Sequence, residues 1–434
     1  IGDGTIKDVD EDRLTVRSGG FYVHEVLGYK DKLFVTGGVR WDGFSTFGEG
    51  FGLAAYPHVE GSYLISDEAF WPFEAVETFK LRAAYGESGK APNAFDAELT
   101  YSAGAADEQE PAVYLSNLAN PDLGPERSAE IEWGFEASAL DSRVSLEFTK
   151  YNQTTTDALI SVPDAPSSGT NISVLENLGE VKNWGTETTL NLVPVRADAI
   201  EWSVGANYST NDSEITDLGP IEDLGSSRQV GYPLWMYWND MVTNPGVLGE
   251  LPVLEKGFIG PLYPTNTLGV STRLTLWRSL TLDVLGEGQY GHVRPSGPAY
   301  QNMRRTPLDD PDSNPAWPYC VPIMKEWNAN GKANLTSTQI AQCIQRYSDQ
   351  GVWTDKADFF KIRSASLSYR LPDGLVPGTR STTISLRAKN LLTFTDYVGL
   401  DPEAQDNGFG DQTPNEYYTL PPPRVFIMNI RVTF

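Results

Sequence analysis

The sequence predicts an all-β protein, an antiparallel transmembrane β-barrel, and three observations carry that prediction. Apolar and polar side chains alternate with a strict two-residue period from one end of the chain to the other. Connections between the alternating segments are by turns very short and very long. No segment approaches 18 consecutive apolar residues, so no spanning helix is expected. The mildly negative mean hydropathy suits a barrel as well as a water-soluble protein, because only every second residue of a spanning strand faces lipid.

The alternation gives about thirteen strands, starting near Phe21, Leu33, Gly52, Thr78, Glu126, Arg143, Leu178, Ile200, Thr265, Thr281, Phe359, Thr382 and Arg424. In the middle of the chain Ile131, Trp133, Phe135 and Ala137 alternate with Glu130, Glu132, Gly134 and Glu136. Trp202, Val204, Ala206 and Tyr208 alternate in the same way with Ser203, Gly205, Asn207 and Ser209. The last strand puts Phe426, Met428, Ile430, Val432 and Phe434 on one face, with Asn429, Arg431 and Thr433 on the other. The apolar row is expected to face outer-membrane lipid. Ending on an aromatic residue, it has the form of the insertion signal read by the barrel-assembly machinery.

Alternation alone would also suit a two-sheet sandwich. The connections separate the two. Short ones sit at Lys30–Lys32, Asp141–Ser142, Arg196–Ala199, Arg278–Leu280 and Asp373–Ser381, and long ones cover roughly residues 90–125, 219–264, 293–357 and 395–422. Short periplasmic turns and long extracellular loops are the pattern of an outer-membrane barrel, whereas long loops count against a compact soluble domain. Bacterial single-chain barrels have an even strand number with both termini periplasmic. With the first strand ending in the turn Lys30–Lys32, that strand enters from outside. Residues 1–434 are therefore expected to be the C-terminal portion of a larger barrel, with its first strands outside this sequence.

A net charge of −25 argues against nucleic acid, whose phosphates need a Lys/Arg stripe. The two cysteines, Cys320 and Cys343, share one polar stretch, and composition leaves both a reduced pair and a disulfide open. The topology exports that stretch in the longest outer loop, and on this basis one disulfide between them is expected.

Nothing in the sequence assembles a catalytic centre, and no enzymatic activity is expected. His24, His58 and His292 are far apart in sequence and fit no metal-ligand spacing. Gly48-Glu-Gly50-Phe-Gly52 imitates a phosphate loop but opens no helix, and a mobile loop is the better reading. Asp310-Pro-Asp312-Ser-Asn314 and Asp8-Val-Asp10-Glu-Asp12 place oxygen ligands at alternate positions, as calcium loops do, yet lack the remaining features. Solvated acidic loops are the default there, and no cofactor is expected. Trp235, Tyr237 and Trp238 in one long loop, with Trp317 and Tyr319 in another, are the candidate substrate- or partner-binding residues. Loop-core packing or an interfacial girdle would explain the same rings.

Several segments resemble the SusC/RagA family of TonB-linked outer-membrane proteins. They are Asn177-Leu-Gly-Glu-Val-Lys-Asn-Trp-Gly-Thr-Glu187, Phe360-Lys-Ile-Arg-Ser-Ala-Ser-Leu-Ser-Tyr-Arg-Leu-Pro372 and Lys389-Asn-Leu-Leu-Thr-Phe-Thr-Asp-Tyr-Val-Gly-Leu-Asp-Pro-Glu403, with Leu81–Gly89 and Asn120–Glu126 in support. The resemblance implies a 22-stranded barrel, filled by an N-terminal plug, opened through TonB and capped by a SusD-like lipoprotein. It implies import of a glycan or oligopeptide. A TonB-dependent siderophore or cobalamin receptor shares the architecture, and a non-transporting adhesion or structural barrel is the alternative from another class.

Overall fold

A computed structural model describes residues 13–50, 52–105, 110–163, 172–220, 228–346, 350–403, 416 and 419–434. In chain order the strands are β1 (Ser18–Tyr29), β2 (Leu33–Phe44), β3 (Ala54–Leu64), β4 (Val76–Lys90), β5 (Thr100–Ala105), β6 (Pro111–Asn117), β7 (Glu126–Ala139), β8 (Val144–Pro163), β9 (Ser173–Arg196) and β10 (Ile200–Asp217). They continue as β11 (Met236–Val242), β12 (Leu254–Pro261), β13 (Asn266–Leu276), β14 (Leu280–Tyr290), β15 (Val293–Pro295), β16 (Thr354–Lys356), β17 (Phe359–Arg370), β18 (Ser381–Thr395) and β19 (Val425–Thr433). Thirteen of them form one antiparallel wall in the order β1-β2-β3-β4-β7-β8-β9-β10-β13-β14-β17-β18-β19. These are the thirteen that alternation picks out. The other six make three two-stranded sheets, β5–β6, β11–β12 and β15–β16, each inside a long outer connection.

Register turns sequence alternation into two continuous faces. Tyr29 pairs with Leu33, Leu33 with Tyr63, Tyr63 with Leu81, Leu81 with Phe135 and Phe135 with Phe148. At the other end Leu282 pairs with Leu367, Leu367 with Leu386 and Leu386 with Met428. A one-residue slip anywhere would turn a whole strand inside out. The opposite face is polar. Glu136 and Glu147 lie directly across from each other, a like-charge pair that costs stability unless neutralised. Arg82 bonds Glu147 at 2.7 Å and Lys80 bonds Glu136 at 2.8 Å, which removes the repulsion. Such a network belongs on the water-filled side.

The inner turns are tight. Lys30, Asp31, Leu140, Asp141, Ser142, Trp277 and Arg278 all have positive φ, the twist that short hairpin loops demand. One inner connection, residues 65–75, is longer than the others. It opens with a 3₁₀ turn at Ile65–Asp67, and its Trp71 Nε1 donates to the carbonyls of Phe73 and Val76 at 3.0 and 3.1 Å. Trp71 then stacks on Phe79, Phe79 on Phe135 and Phe135 on Phe148, with centroids 5.3, 5.6 and 5.8 Å apart. This ring ladder crosses three strands on the apolar face near the inner end.

Strand β9 has 24 residues and β8 has 20. At about 3.3 Å per residue such a strand is roughly 70–80 Å long, far more than a spanning strand of about 10 residues needs. The excess stands outside the membrane and serves as a platform for the loops.

Among the described residues β1 pairs only with β2 and β19 only with β18, so both edges of the wall are open. Every unpaired backbone group in lipid costs several kcal/mol. Residues 1–434 expressed alone should therefore give no compact, heat-modifiable band on a gel; such a band would mean that the thirteen strands close by themselves. In the outer membrane Ile430→Arg, near the middle of β19, should destabilise the barrel by about 2–4 kcal/mol. Asn429→Arg, on the polar face, should not. Outer-membrane levels and the thermal midpoint of band conversion measure both.

Candidate functional site

Two outer connections, between β10 and β13 and after β18, meet polar-face residues of the wall and carry the candidate site. The largest outer connection, between β14 and β17, contains the helices α1 (Gly297–Met303), α2 (Cys320–Asn330) and α3 (Ser337–Gln339), the last continuing as a π-helix, Ile340–Gln345. Ser296 caps α1 by accepting from the Ala299 N–H, Gly331 at φ 65° ends α2, and Thr336 and Gln339 form a reciprocal capping box on α3. A core of Met303, Trp317, Met324, Ile340 and Trp353, among others, sits between them. Cys320 and Cys343 are disulfide-bonded within this core, with Cα atoms 5.4 Å apart. The bond spans 23 residues, which restricts the unfolded chain by roughly 3 kcal/mol in the loop-entropy picture.

The five candidate aromatics do not form one patch. Tyr237 is buried with Leu262 and Val293 under the β11–β12 hairpin, and Trp317 is buried in the helical core. Trp238 packs edge-on to Tyr232 at 5.3 Å. Tyr319 keeps 38% of its surface exposed and donates its hydroxyl to Gln342 at 3.3 Å. Trp235 alone of the five lines a cavity of about 290 Å³, facing Tyr263 at 6.0 Å and shared with Asn183, Asn211 and Ser213 of the wall. Tyr263 was not singled out from sequence; nothing distinguishes it there from a girdle tyrosine.

A second feature appears only in three dimensions. Lys361 and Arg363 of β17 meet Asp401 and Glu403 from the loop after β18. Lys361 Nζ lies 2.7 Å from Asp401 and 2.9 Å from Glu403, and Arg363 grips Glu403 with two nitrogens while its Nε reaches Glu287 at 3.0 Å. Burial alone would raise the Glu403 carboxyl, but the hydrogen bonds from Arg363 and Lys361 outweigh it and bring it down to about 2. Nearby, the buried Glu416 carboxylate accepts from Ser296 Oγ and Tyr397 OH, both at 3.0 Å, and from the Leu400 and Asp401 N–H groups. The same pattern joins other loops: Asn177 Oδ1 accepts from the Gly124 N–H at 2.8 Å while its Nδ2 donates to the Gly124 carbonyl at 3.0 Å. The D-P-E and N-L-G-E segments quoted above are thus the fastenings between loops and wall.

One sequence expectation is corrected here, and other residues weighed above are placed. Gly48-Glu-Gly50 is not a free loop: the Gly48 and Gly50 N–H groups donate to the carbonyls of Leu123 and Pro121 at 2.9 and 3.0 Å. At Gly48 a β-carbon would come within 2.2 Å of the Pro121 carbonyl oxygen, so the close approach needs glycine. His24 and His58, remote in sequence, face each other across Gly38 with ring centroids 6.1 Å apart. His292 is buried and neutral, its pKa lowered to about 4 by burial and by Arg294. Asp312 of the first calcium-like stretch is paired with Lys325 at 2.6 Å. Among the described residues no group of three or more acidic, His or Cys side chains could hold a metal. Asp8, Asp10 and Asp12 lie outside the described residues.

The Glu403 geometry fixes a pH dependence. A carboxyl depressed in the folded state contributes fully above its unfolded value of about 4.5 and loses that contribution as pH falls towards 2. Limited proteolysis of the 396–424 loop should accelerate across that interval in the wild type. Glu403→Gln should already show the faster cutting at pH 7.

A family model described as TonB dependent receptor-like, beta-barrel matches residues 2–391. TonB-dependent receptor P26 of Formosa agariphila is 24% identical over 479 residues, covering 97% of this chain and 47% of that protein. TonB-dependent receptor SusC of Bacteroides thetaiotaomicron is 25% identical over 196 residues, covering 43% of this chain and 19% of its own length. The structure of the RagAB peptide transporter has the same fold, with a TM-score of 0.75 over 96% of this chain and 48% of that one, at 22% identity. The chain spans about half the length of the first of these curated relatives. A wall of alternating strands with short inner turns and folded outer loops, matched over most of its length by that model, makes this chain a member of the TonB dependent receptor-like, beta-barrel family of the outer membrane.

Proposed function

We propose that this chain is the C-terminal barrel portion of a SusC/RagA-type import receptor that takes up a glycan or oligopeptide. Energy reaches it through TonB, by way of a plug and TonB-contacting segment that lie elsewhere in the full-length protein. A SusD-like lipoprotein closes the outer mouth. The observation that carries this reading is the family match over residues 2–391 combined with outer loops that are folded, cross-linked and fastened to the wall. Loops built in this way can present a fixed surface to a lid. The naming of RagAB as a peptide transporter and of SusC as a TonB-dependent receptor supports the same class. The open edges of β1 and β19 are met by the remaining strands of the barrel in this reading, the row Phe426 to Phe434 being the segment read by the barrel-assembly machinery. No enzymatic step and no cofactor enter it.

Deletion of the gene should abolish growth on one class of glycan or peptide as sole source while leaving growth on the monomer intact. Affinity purification of the tagged receptor should co-purify a lipoprotein encoded beside it. Unchanged growth on every oligomer tested, with no lipoprotein recovered, would remove the proposal.

A further inference from the structure

We infer that the cavity beside Trp235 holds an uncharged sugar ring; this rests on the import function proposed above and names the substrate class at one place on the barrel's inner face. Trp235 and Tyr263 line the cavity with their rings 77° apart, one as a floor and the other as a wall. Arg228 stacks on Trp235 at 5.8 Å and steadies the indole. The apolar face of a pyranose fits against such a ring, and its rim of hydroxyls then needs partners that both donate and accept.

The wall supplies them. Asn211 Oδ1 accepts from the Tyr151 hydroxyl at 2.8 Å, which orients the amide and leaves its NH₂ group as a donor. Asn183 Nδ2 donates to Gln153 Oε1 at 3.4 Å, which leaves its carbonyl oxygen as an acceptor. Gln153 is itself held by Glu130 at 3.2 Å, so the second amide is positioned from two strands away. Asn183 and Ser213 pair directly across β9 and β10, and Asn211 lies two residues along on the same face. One fixed donor and one fixed acceptor on a single face match a hydroxyl, or two neighbouring hydroxyls, better than they match a charged group.

Charge argues in the same direction. The side chains that the wall turns towards the cavity, Asn183, Asn211 and Ser213, are uncharged, and Arg228 lies against the Trp235 ring. The outer loop at 91–125 carries six carboxylates and no Lys or Arg, and the loop at 396–424 carries six carboxylates and one Arg. A polyanionic chain would meet the loop carboxylates on approach, and Arg228, the cation beside the ring, is engaged on the Trp235 indole. The volume of about 290 Å³ is at the low end for ligand pockets, which run roughly from 300 to 1,000 Å³, and suits one ring rather than a folded peptide.

The test uses purified full-length receptor and calorimetric titration with three probe sets. These are neutral gluco- and manno-oligosaccharides, oligouronates of equal length, and short peptides. At least one neutral oligosaccharide should bind, with the uronates at least tenfold weaker. Trp235→Ala and Asn211→Ala should each weaken that binding at least tenfold, while Trp277→Ala, in an inner turn, should leave it unchanged. The heat-modifiable band confirms that each variant folds. Neutral sugar binding that survives both substitutions would place the site elsewhere. Peptide binding lost on Trp235→Ala, or no binding by any neutral sugar, would overturn the saccharide assignment. Import is judged separately: a strain lacking the receptor that still takes up the bound sugar normally would refute import while leaving the cavity's assignment standing.

Discussion

Backbone pairing in a medium that offers no other hydrogen-bond partner governs this molecule. Within hydrocarbon each N–H and C=O must be satisfied by a neighbouring strand. The wall therefore runs as one antiparallel ladder, with local register shifts in five of its twelve strand pairings. Because pairing fixes register, and register fixes which side each residue faces, the ladder also decides where chemistry can occur. Leu81, Phe135 and Phe148 must sit outside for Arg82, Glu136 and Glu147 to meet inside. Neither arrangement could be shifted without the other.

Above the membrane water competes for every polar group, and a different set of contacts takes over. Lys361 and Asp401 are both nearly inaccessible, and such a pair survives burial only when its remaining hydrogen-bonding capacity is also filled. Here Glu403 fills it, its carboxylate accepting from Lys361 and its N–H donating to Asp401, while Arg363 links Glu403 on to Glu287, which ties the loop after β18 to the wall through several charges at once. Glu416 does the same work between the loop after β18 and the segment leading into α1, by gathering four donors onto one carboxylate. The outer mouth is thus shaped by electrostatics, whereas the wall is shaped by backbone geometry.

That division explains what could be read from the chain. All thirteen wall strands were legible, because a two-residue period in Phe426, Met428 and Ile430 is a local signal. The folded loops were not. Helices α1 and α2 have 7 and 11 residues, too short for a periodic pattern to stand out, and their core joins segments 50 residues apart in sequence. For the same reason Tyr237 and Trp317 could not be told from surface anchors: burial there depends on a neighbouring loop, which the residue's own surroundings in sequence do not disclose. The meeting of His24 with His58 depends on two registers at once. The D-P-E segment was visible, but its role as a fastening required Lys361 and Arg363 to be seen beneath it.

The stacked rings from Trp71 to Phe148 have a mechanical meaning. Tryptophan favours the headgroup boundary over both hydrocarbon and bulk water, and Trp71, hydrogen-bonded within the inner turn and stacked at the head of Phe79, Phe135 and Phe148 across β4, β7 and β8, marks that boundary on the apolar face. Vertical displacement of the barrel would draw Trp71 off that boundary and, through the stack, load three strands at once.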